Sequence, residues 1–143
     1  MAGTLKLQII TPDRVVLDQE VEQVSACAID GELTILPEHE PLTTALAIDV
    51  VRFKTKGHES AAAVIGGLLE ITGDRVRVLS DSAELDVEID EARARQAKER
   101  AEAEKTQRAD KLDVYISEMA IARAVARLKA AELIKRRKHS INN

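Results

Sequence analysis

Aromatic side chains are nearly missing from this sequence of 143 residues. They make up 1% of it, as Phe53 and Tyr115, and there is no tryptophan. Nucleic-acid modules that stack bases rely on aromatic platforms, so this composition argues against such a module. The net charge of −4 also gives no general attraction to nucleic acid or acidic lipid. We therefore expect no nucleic-acid partner.

The residue sets that support catalysis or metal binding are lacking too. A single cysteine, Cys27, excludes an intrachain disulfide framework, and its Ala/Ile-rich surroundings predict a small buried side chain. His39, His58 and His139 are scattered, and no glycine-rich phosphate loop is present. No apolar run approaches the ~18 residues of a membrane span. We predict no catalytic residue, no metal site, no required cofactor, and membrane association only through partners.

Glycine and proline do not occur in the second half of the chain. The six glycines end at Gly73 and the three prolines end at Pro41. Turn-forming residues interrupt short strands, and their absence permits long helices. Charge divides at a similar point: residues 1–88 carry 16 acidic and 7 basic side chains (−9), and residues 89–143 carry 9 and 14 (+5). The sequence predicts two domains, 1–88 and 89–143, with different partners.

Short alternating segments predict β structure for residues 1–88. Leu5, Leu7 and Ile9 alternate on one face of a strand. A strand from Val50 leads into a hairpin turn at residues 55–57, and a second turn is predicted at residues 72–74. The pair at residues 66–67 indicates a bulge or a close backbone approach. Many short strands predict an antiparallel β-sandwich or barrel.

Residues from about 90 to about 138 predict two helices in an antiparallel hairpin. Asp90 is placed to cap the first helix. Polar residues at Thr106, Asp110 and Asp113 predict a break, after which Asp113 caps the second helix. The first helix offers only a thin apolar seam, at Ala94, Ala97 and Ala101, whereas the second offers a wider one, at Val114, Ile121, Val125 and Leu128.

Alanine is the best helix former but buries little area. The first helix is therefore expected to keep its shape while it is weakly attached, so that the hairpin can dock, undock or extend. A hairpin that never moves fits the residues equally well.

Basic side chains of the hairpin predict a cluster near the domain boundary. Arg123 and Arg127 lie four residues apart, on one helix face. In a folded hairpin they can approach Arg93 and the acidic residues Glu84 and Asp90. Such a cluster either holds the hairpin closed through ion pairs or binds a polyphosphate anion, because the planar arginine fork matches phosphate oxygens. Both interpretations stay open on spacing alone.

Several stretches, in order along the chain, resemble the epsilon subunit family of bacterial F-type, proton-translocating ATP synthases. The stretches are Ile10–Asp13, Gly31–Leu42, Gly66–Glu70, Val76–Leu79, Ile89–Ala94 and Ala122–Leu128. The resemblance implies a non-catalytic subunit of the central rotor stalk, in a complex that makes ATP from ADP with a proton gradient. It also implies a β-sandwich followed by a mobile, inhibitory helical hairpin.

The resemblance further implies partners for each half. The sandwich is expected to bind the gamma subunit and the ring of c subunits, with Glu32 facing the ring and His39 near gamma. The extended hairpin is expected to reach the catalytic alpha/beta head and block ATP hydrolysis. The implied location is the cytoplasmic face of the bacterial plasma (inner) membrane, as a peripheral protein held there by other subunits.

Some bacterial members of the family bind ATP as a regulatory ligand through an Ile/Leu-Asp-x-x-Arg-Ala motif. The matching positions are Ile89, Asp90, Arg93 and Ala94, accompanied by Glu84, Arg123 and Arg127. Two departures from the family pattern are Glu38, where glycine is common, and the stretch 85–86 after Glu84. Other interpretations are a freestanding scaffold, whose hairpin pairs with a partner helix, and an ATP-sensing module that acts alone.

Overall fold

The computed structural model describes residues 3–107 and 111–141. Eight strands precede a short 3-10 helix, Asp86–Glu88, and two α-helices, α1 Glu91–Gln107 and α2 Lys111–Ile141. The strands are β1 Leu5–Ile10, β2 Val15–Val21, β3 Gln23–Ala28, β4 Gly31–Ile35, β5 Leu42–Thr55, β6 His58–Thr72, β7 Arg75–Leu79 and β8 Ala83–Leu85. A β-sandwich followed by two helices, as the sequence predicts, is confirmed.

The strands follow the order β2-β1-β7-β6-β5-β3-β4, and β8 pairs with β6. The long strands β5 and β6 pair along almost their whole length and hold the sandwich together. One detail departs from the predicted antiparallel arrangement, because β1 and β7 are parallel. These two strands are separated by most of the sandwich rather than by a turn, so the hairpin geometry that forces antiparallel pairing does not apply to them.

Alternation along the strands builds the core of the sandwich. Leu5, Leu7 and Ile9 are fully buried, as their spacing predicts. In β6, Ala62 and Val64 face this core, while their neighbours Ala61 and Ala63 face the other side of the sheet. The β5–β6 pair is therefore packed on both faces, against the sandwich core on one side and against α2 on the other.

The predicted turns are present, and one strand is longer than predicted. Thr55 pairs with His58 around a two-residue turn, and Thr72 pairs with Arg75 around another. The predicted close backbone approach is confirmed at Gly67, where an added Cβ atom would lie 2.0 Å from the carbonyl oxygen of Leu79. The strand expected from Val50 begins eight residues earlier, since β5 is paired with β6 from residue 42 onward. Burial does not alternate regularly along this first part of β5, so the sequence pattern gives no sign of a strand there.

The helix boundaries agree with the sequence at one end and differ at the other. The Asp90 carboxylate accepts a hydrogen bond from the Arg93 N–H at 3.1 Å, so the predicted N-cap of α1 is confirmed. The cap predicted at Asp113 is wrong, because α2 already begins at residue 111. Of the predicted break, Thr106 lies in α1, and Asp110 lies outside the described residues.

The hairpin docks on the sandwich through α2, and α1 packs mainly against α2. The α2 side chains in this contact are Ala126, Ala130 and Leu133. The wider seam predicted for α2 is only half-buried, and Ala97 of the α1 seam is exposed. The docked face of α2 is thus alanine-rich. The predicted contrast, a thin apolar seam on α1 and a wider one on α2, is therefore not seen in the docked contact.

The loop between β4 and β5 contains a residue in a strained backbone conformation. Glu38 has φ 68°, in the left-handed region where a Cβ atom costs about 1 kcal/mol and glycine costs little. We expect Glu38→Gly to be about 1 kcal/mol more stable than a glycine substitution at an unstrained position of the same loop, measured as the free energy of unfolding by urea denaturation. Glu40→Gly in the same exposed loop is the matched control. It should leave stability unchanged or lower it, because it only adds freedom to the unfolded chain.

Candidate functional site at the sandwich–hairpin junction

A cavity of about 330 Å³ lies where the 3-10 helix, the start of α1 and the middle of α2 meet. Six of the seven residues predicted for an anion site line it: Glu84, Ile89, Asp90, Arg93, Ala94 and Arg127. The seventh, Arg123, is half-buried one turn earlier on α2 and is not among the lining residues. The fold therefore brings together most of a set that spans more than forty residues of sequence.

Two carboxylates at the junction, those of Asp86 and Asp90, fix the positions of the elements that form the cavity walls. Asp86 is 3% exposed, and its Oδ2 accepts the N–H of Ala61 at 3.1 Å, which ties the 3-10 helix to β6. Asp90 then starts α1 by capping it, so the first turn of that helix forms one wall. Arg127 reaches the opposite wall from α2, which returns antiparallel to α1.

The charged groups in the cavity are partly paired with one another. Arg127 Nη2 lies 3.2 Å from Glu84 Oε1, so this arginine forms an ion pair between α2 and the sandwich. Arg93 is exposed at the mouth of the cavity. The ion pair fits the interpretation that charges hold the hairpin closed. The exposed guanidinium fits the interpretation that an anion binds, because it presents donors to solvent.

Sequence reasoning missed two lining residues, Glu88 and Ala97, and one residue beside the cavity, Arg14. Arg14 Nη1 and Nη2 each donate to Glu88 at 2.9 Å, in a bidentate pair. This guanidinium lowers the pKa of the Glu88 carboxyl, mainly through the hydrogen bond. Since 74 residues separate the partners, no local motif signals the pair.

The residues predicted to contact partners lie at the two ends of β4. Glu32 is near its start and forms an ion pair with Arg52 of β5, with 59% of its side chain exposed. His39 follows the strand in the connecting loop, and its Nδ1 lies 2.7 Å from the backbone oxygen of Glu40. One short strand thus positions both side chains.

A second cavity, of about 310 Å³, separates the later part of α2 from β3, β4 and β5. Cys27 lines it and is half-buried rather than buried as predicted, because its side chain points outward from β3 toward α2. Burial raises the pKa of the Cys27 thiol, which leaves it protonated at neutral pH.

Within residues 3–107 and 111–141, the acidic, histidine and cysteine side chains form no group of three or more that could hold a metal ion. Neither described helix combines the length and the apolar character needed to cross a bilayer.

A β-sandwich, a docked two-helix hairpin and a charged cavity at their junction together define a protein of two parts. Residues 4–86 match the beta-sandwich domain of the ATP synthase Delta/Epsilon chain, and residues 88–132 match its long alpha-helix domain. The chain belongs to this family, as an epsilon-type subunit of an ATP synthase.

Curated relatives from three bacteria agree with this assignment, and each is called an ATP synthase epsilon chain. The one from Moorella thermoacetica is 50% identical over 92% of this chain and 99% of its own length. The one from Dehalococcoides mccartyi is 47% identical over 94% and 96%. The one from Desulforamulus reducens is 44% identical over 92% and 100%.

Solved structures share the fold at low sequence identity. A chain from the Euglena gracilis mitochondrial ATP synthase, solved with OSCP, F1 and the c-ring, has TM-score 0.77 at 23% identity, over 90% of this chain and 81% of that one. A chain from the Tetrahymena thermophila mitochondrial ATP synthase central stalk and c-ring has TM-score 0.60 at 12% identity, over 90% and 96%. Both support the fold alone.

Proposed function

We propose that this subunit sits in the rotor stalk, joins gamma to the c ring, and inhibits ATP hydrolysis when its hairpin leaves the sandwich. The observation that carries the regulatory part is the small docking interface. Ala126, Ala130 and Leu133 of α2 lie against a patch formed by Val50, Ala61 and Ala63, with Ile48 and Ile89 partly buried beside it, and α1 is held mainly by α2. Such an interface can separate while the core of the sandwich stays intact.

The energetics favour a reversible contact. Buried apolar area contributes about 25 cal/mol per Å², so alanine side chains contribute little each. The ion pairs between α2 and the sandwich, Arg127–Glu84 and Lys129–Asp49, join partly exposed groups and add about 0–1 kcal/mol each. Both helices keep their shape when undocked, because alanine, glutamate, lysine and arginine dominate them.

The sandwich provides the fixed contacts in this proposal. Glu32 and His39, at opposite ends of β4, make the c-ring and gamma contacts respectively. The basic excess of residues 89–143 suits an acidic surface on the alpha/beta head, which the hairpin meets when it extends. The subunit is peripheral, on the cytoplasmic face of the bacterial plasma membrane, and the other subunits hold it there. It contributes no catalytic residue.

ATP acts in this proposal as a ligand that stabilises the docked hairpin. The junction cavity is shared by the 3-10 helix, α1 and α2, so a molecule bound there contacts both domains at once. Binding to the docked form alone shifts the equilibrium toward it. Arg93 and Arg127 hold the phosphates, Asp90 keeps the α1 terminus in place, and Glu84, Ile89, Ala94 and Arg123 complete the site.

The test compares ATP hydrolysis by the whole synthase with three forms of this subunit. The first is the full chain, the second ends after residue 88, and the third carries Asp49→Cys and Lys129→Cys joined by a bismaleimide in a Cys27→Ser background. The two replaced side chains form an ion pair at 3.3 Å, so the crosslink fixes the docked position. We expect truncation and crosslinking each to raise hydrolysis several-fold, because only a mobile hairpin inhibits.

The controls are the two single-cysteine variants treated with the same reagent, which should hydrolyse ATP at the rate of the full chain. The truncated form retains its own core, since the members of the main buried cluster all lie before residue 86. If the crosslinked complex stays as inhibited as the uncrosslinked one, the mobile hairpin is not the inhibitor.

A further inference from the structure

Arg14 is the one basic side chain that reaches the junction from the β1–β2 turn. Both of its terminal nitrogens donate to the Glu88 carboxylate at 2.9 Å, and Glu88 Oε2 also accepts the N–H of Leu85 at 3.0 Å. Bidentate pairs of this kind are the more specific and stronger class of ion pair. The carboxylate is thereby held in one orientation at the rim of the cavity.

The cavity by itself carries the wrong charge for an anion. Its lining holds three carboxylates, Glu84, Glu88 and Asp90, against two guanidinium groups, Arg93 and Arg127. The lining therefore has a formal charge of −1, and Arg123, which lies outside the lining, brings the proposed site only to neutral, so it has no net attraction for a polyphosphate. Asp90 is already committed to the α1 N-terminus, and Glu84 is paired with Arg127. Of the three, Glu88 is the one whose charge is offset neither by an arginine of the cavity nor by the α1 N-terminus.

We infer that Arg14 sets the affinity of the junction cavity for polyphosphate by neutralising Glu88. Its positive charge offsets that of Glu88, makes the surroundings of the cavity one unit more positive, and leaves Arg93 exposed toward an incoming phosphate. Arg14 acts through Glu88 rather than through contact with the ligand. The inference rests on the proposed regulatory binding of ATP and adds a residue of the β1–β2 turn to a site built from β8, the 3-10 helix, α1 and α2.

An electrostatic role and a structural role for this pair predict opposite results for Glu88. If the pair only stiffens the junction, the loss of either partner weakens ligand binding. If the pair tunes charge, the loss of Arg14 weakens binding, but the loss of Glu88 strengthens it, since a cation is then left without its carboxylate. Glutamine keeps an oxygen that can accept the Leu85 N–H, so Glu88→Gln isolates the charge.

Isothermal titration of the full chain with ATP, at low ionic strength, tests this. We expect Arg14→Gln to weaken binding roughly five-fold, Glu88→Gln to tighten it by a similar factor, and the double variant to return close to the wild type. Arg52→Gln is the matched control, because it removes the same charge from the sandwich at the other cavity. It should change the affinity less than two-fold. Thermal melting of each variant checks that the fold is retained.

The outcomes separate this inference from the function on which it rests. Weaker binding by Glu88→Gln, or equal weakening by Arg14→Gln and Arg52→Gln, overturns the role of Arg14 while ATP binding stands. Absence of heat on titration of the wild type and every variant at millimolar ATP overturns both the ATP-binding proposal and this inference. The inference is supported if Arg14→Gln weakens ATP binding, Glu88→Gln strengthens it, and the double variant binds ATP like the wild type, with all three variants folded.

Discussion

Replacing Gly67 by alanine is expected to lower the free energy of unfolding by about 3 kcal/mol or more. Gly67 has φ 114°, and an added Cβ atom would lie 2.0 Å from the Leu79 carbonyl oxygen and 3.0 Å from the Ser80 Cα atom. Both are backbone atoms, so no side chain can rotate out of the way. The strain therefore falls on the β6–β7 pairing, which is part of the sandwich core.

Urea denaturation of Gly67→Ala measures this loss, and Gly73→Ala is the matched control. Gly73 also has a positive φ, 58°, but nothing lies within 4 Å of an added Cβ atom. Its replacement should cost only the left-handed strain, about 1 kcal/mol. Equal losses in the two variants would mean that backbone conformation, and not the close approach to Leu79, determines the effect.

The substitution Ala130→Glu should detach the hairpin without unfolding the sandwich. Ala130 is 0% exposed in the contact with Val50, Ala61 and Ala63. An unpaired carboxylate held there would cost several kcal/mol, more than the small interface contributes, so undocking is the lower-energy response. Hydrogen exchange should show a marked loss of protection at Ala61, whose N–H is held by Asp86 of the 3-10 helix beside α2, and in the linker that follows β8, while β1 and β7 keep theirs.

The exposed Ala103 on α1 supplies the matched control, because Ala103→Glu adds the same group to the same hairpin outside the contact. It should leave exchange in β6 unchanged. In the whole synthase, the proposed function adds a second expectation, namely that Ala130→Glu inhibits hydrolysis more strongly than the wild type. A sandwich that loses protection in β1 together with the hairpin would mean that the two parts unfold as one unit.

The parts of the fold that depend on local patterns were predictable from the sequence. Alternation identifies Leu5, Leu7 and Ile9 as core, and the turn residues place both two-residue hairpins. The cap at Asp90 follows from its position before the first helix. These features depend on neighbours in sequence, which a pattern records directly.

Features that depend on distant partners were not predictable in the same way. Three features depend on how separate segments of the chain meet: the parallel β1–β7 pair, the Arg14–Glu88 ion pair, and the outward orientation of the Cys27 side chain. The docked face of α2 was misplaced for a related reason. Periodicity favours large side chains such as Val125 and Leu128, but the short side chains on β6 admit Ala126 and Ala130. The arginine set near the boundary was predicted as a group, yet the structure separates Arg123 from it.

The packing of the β5–β6 pair on both of its faces has a consequence for the open form that we propose. The surface that would then be uncovered consists mainly of Ala61, Ala63 and Val50, with the larger Ile48 beside them. Small apolar patches of this kind are tolerated by water and give little drive toward self-association. We therefore expect the proposed open form to remain unaggregated, so that the hairpin can dock again without a chaperone.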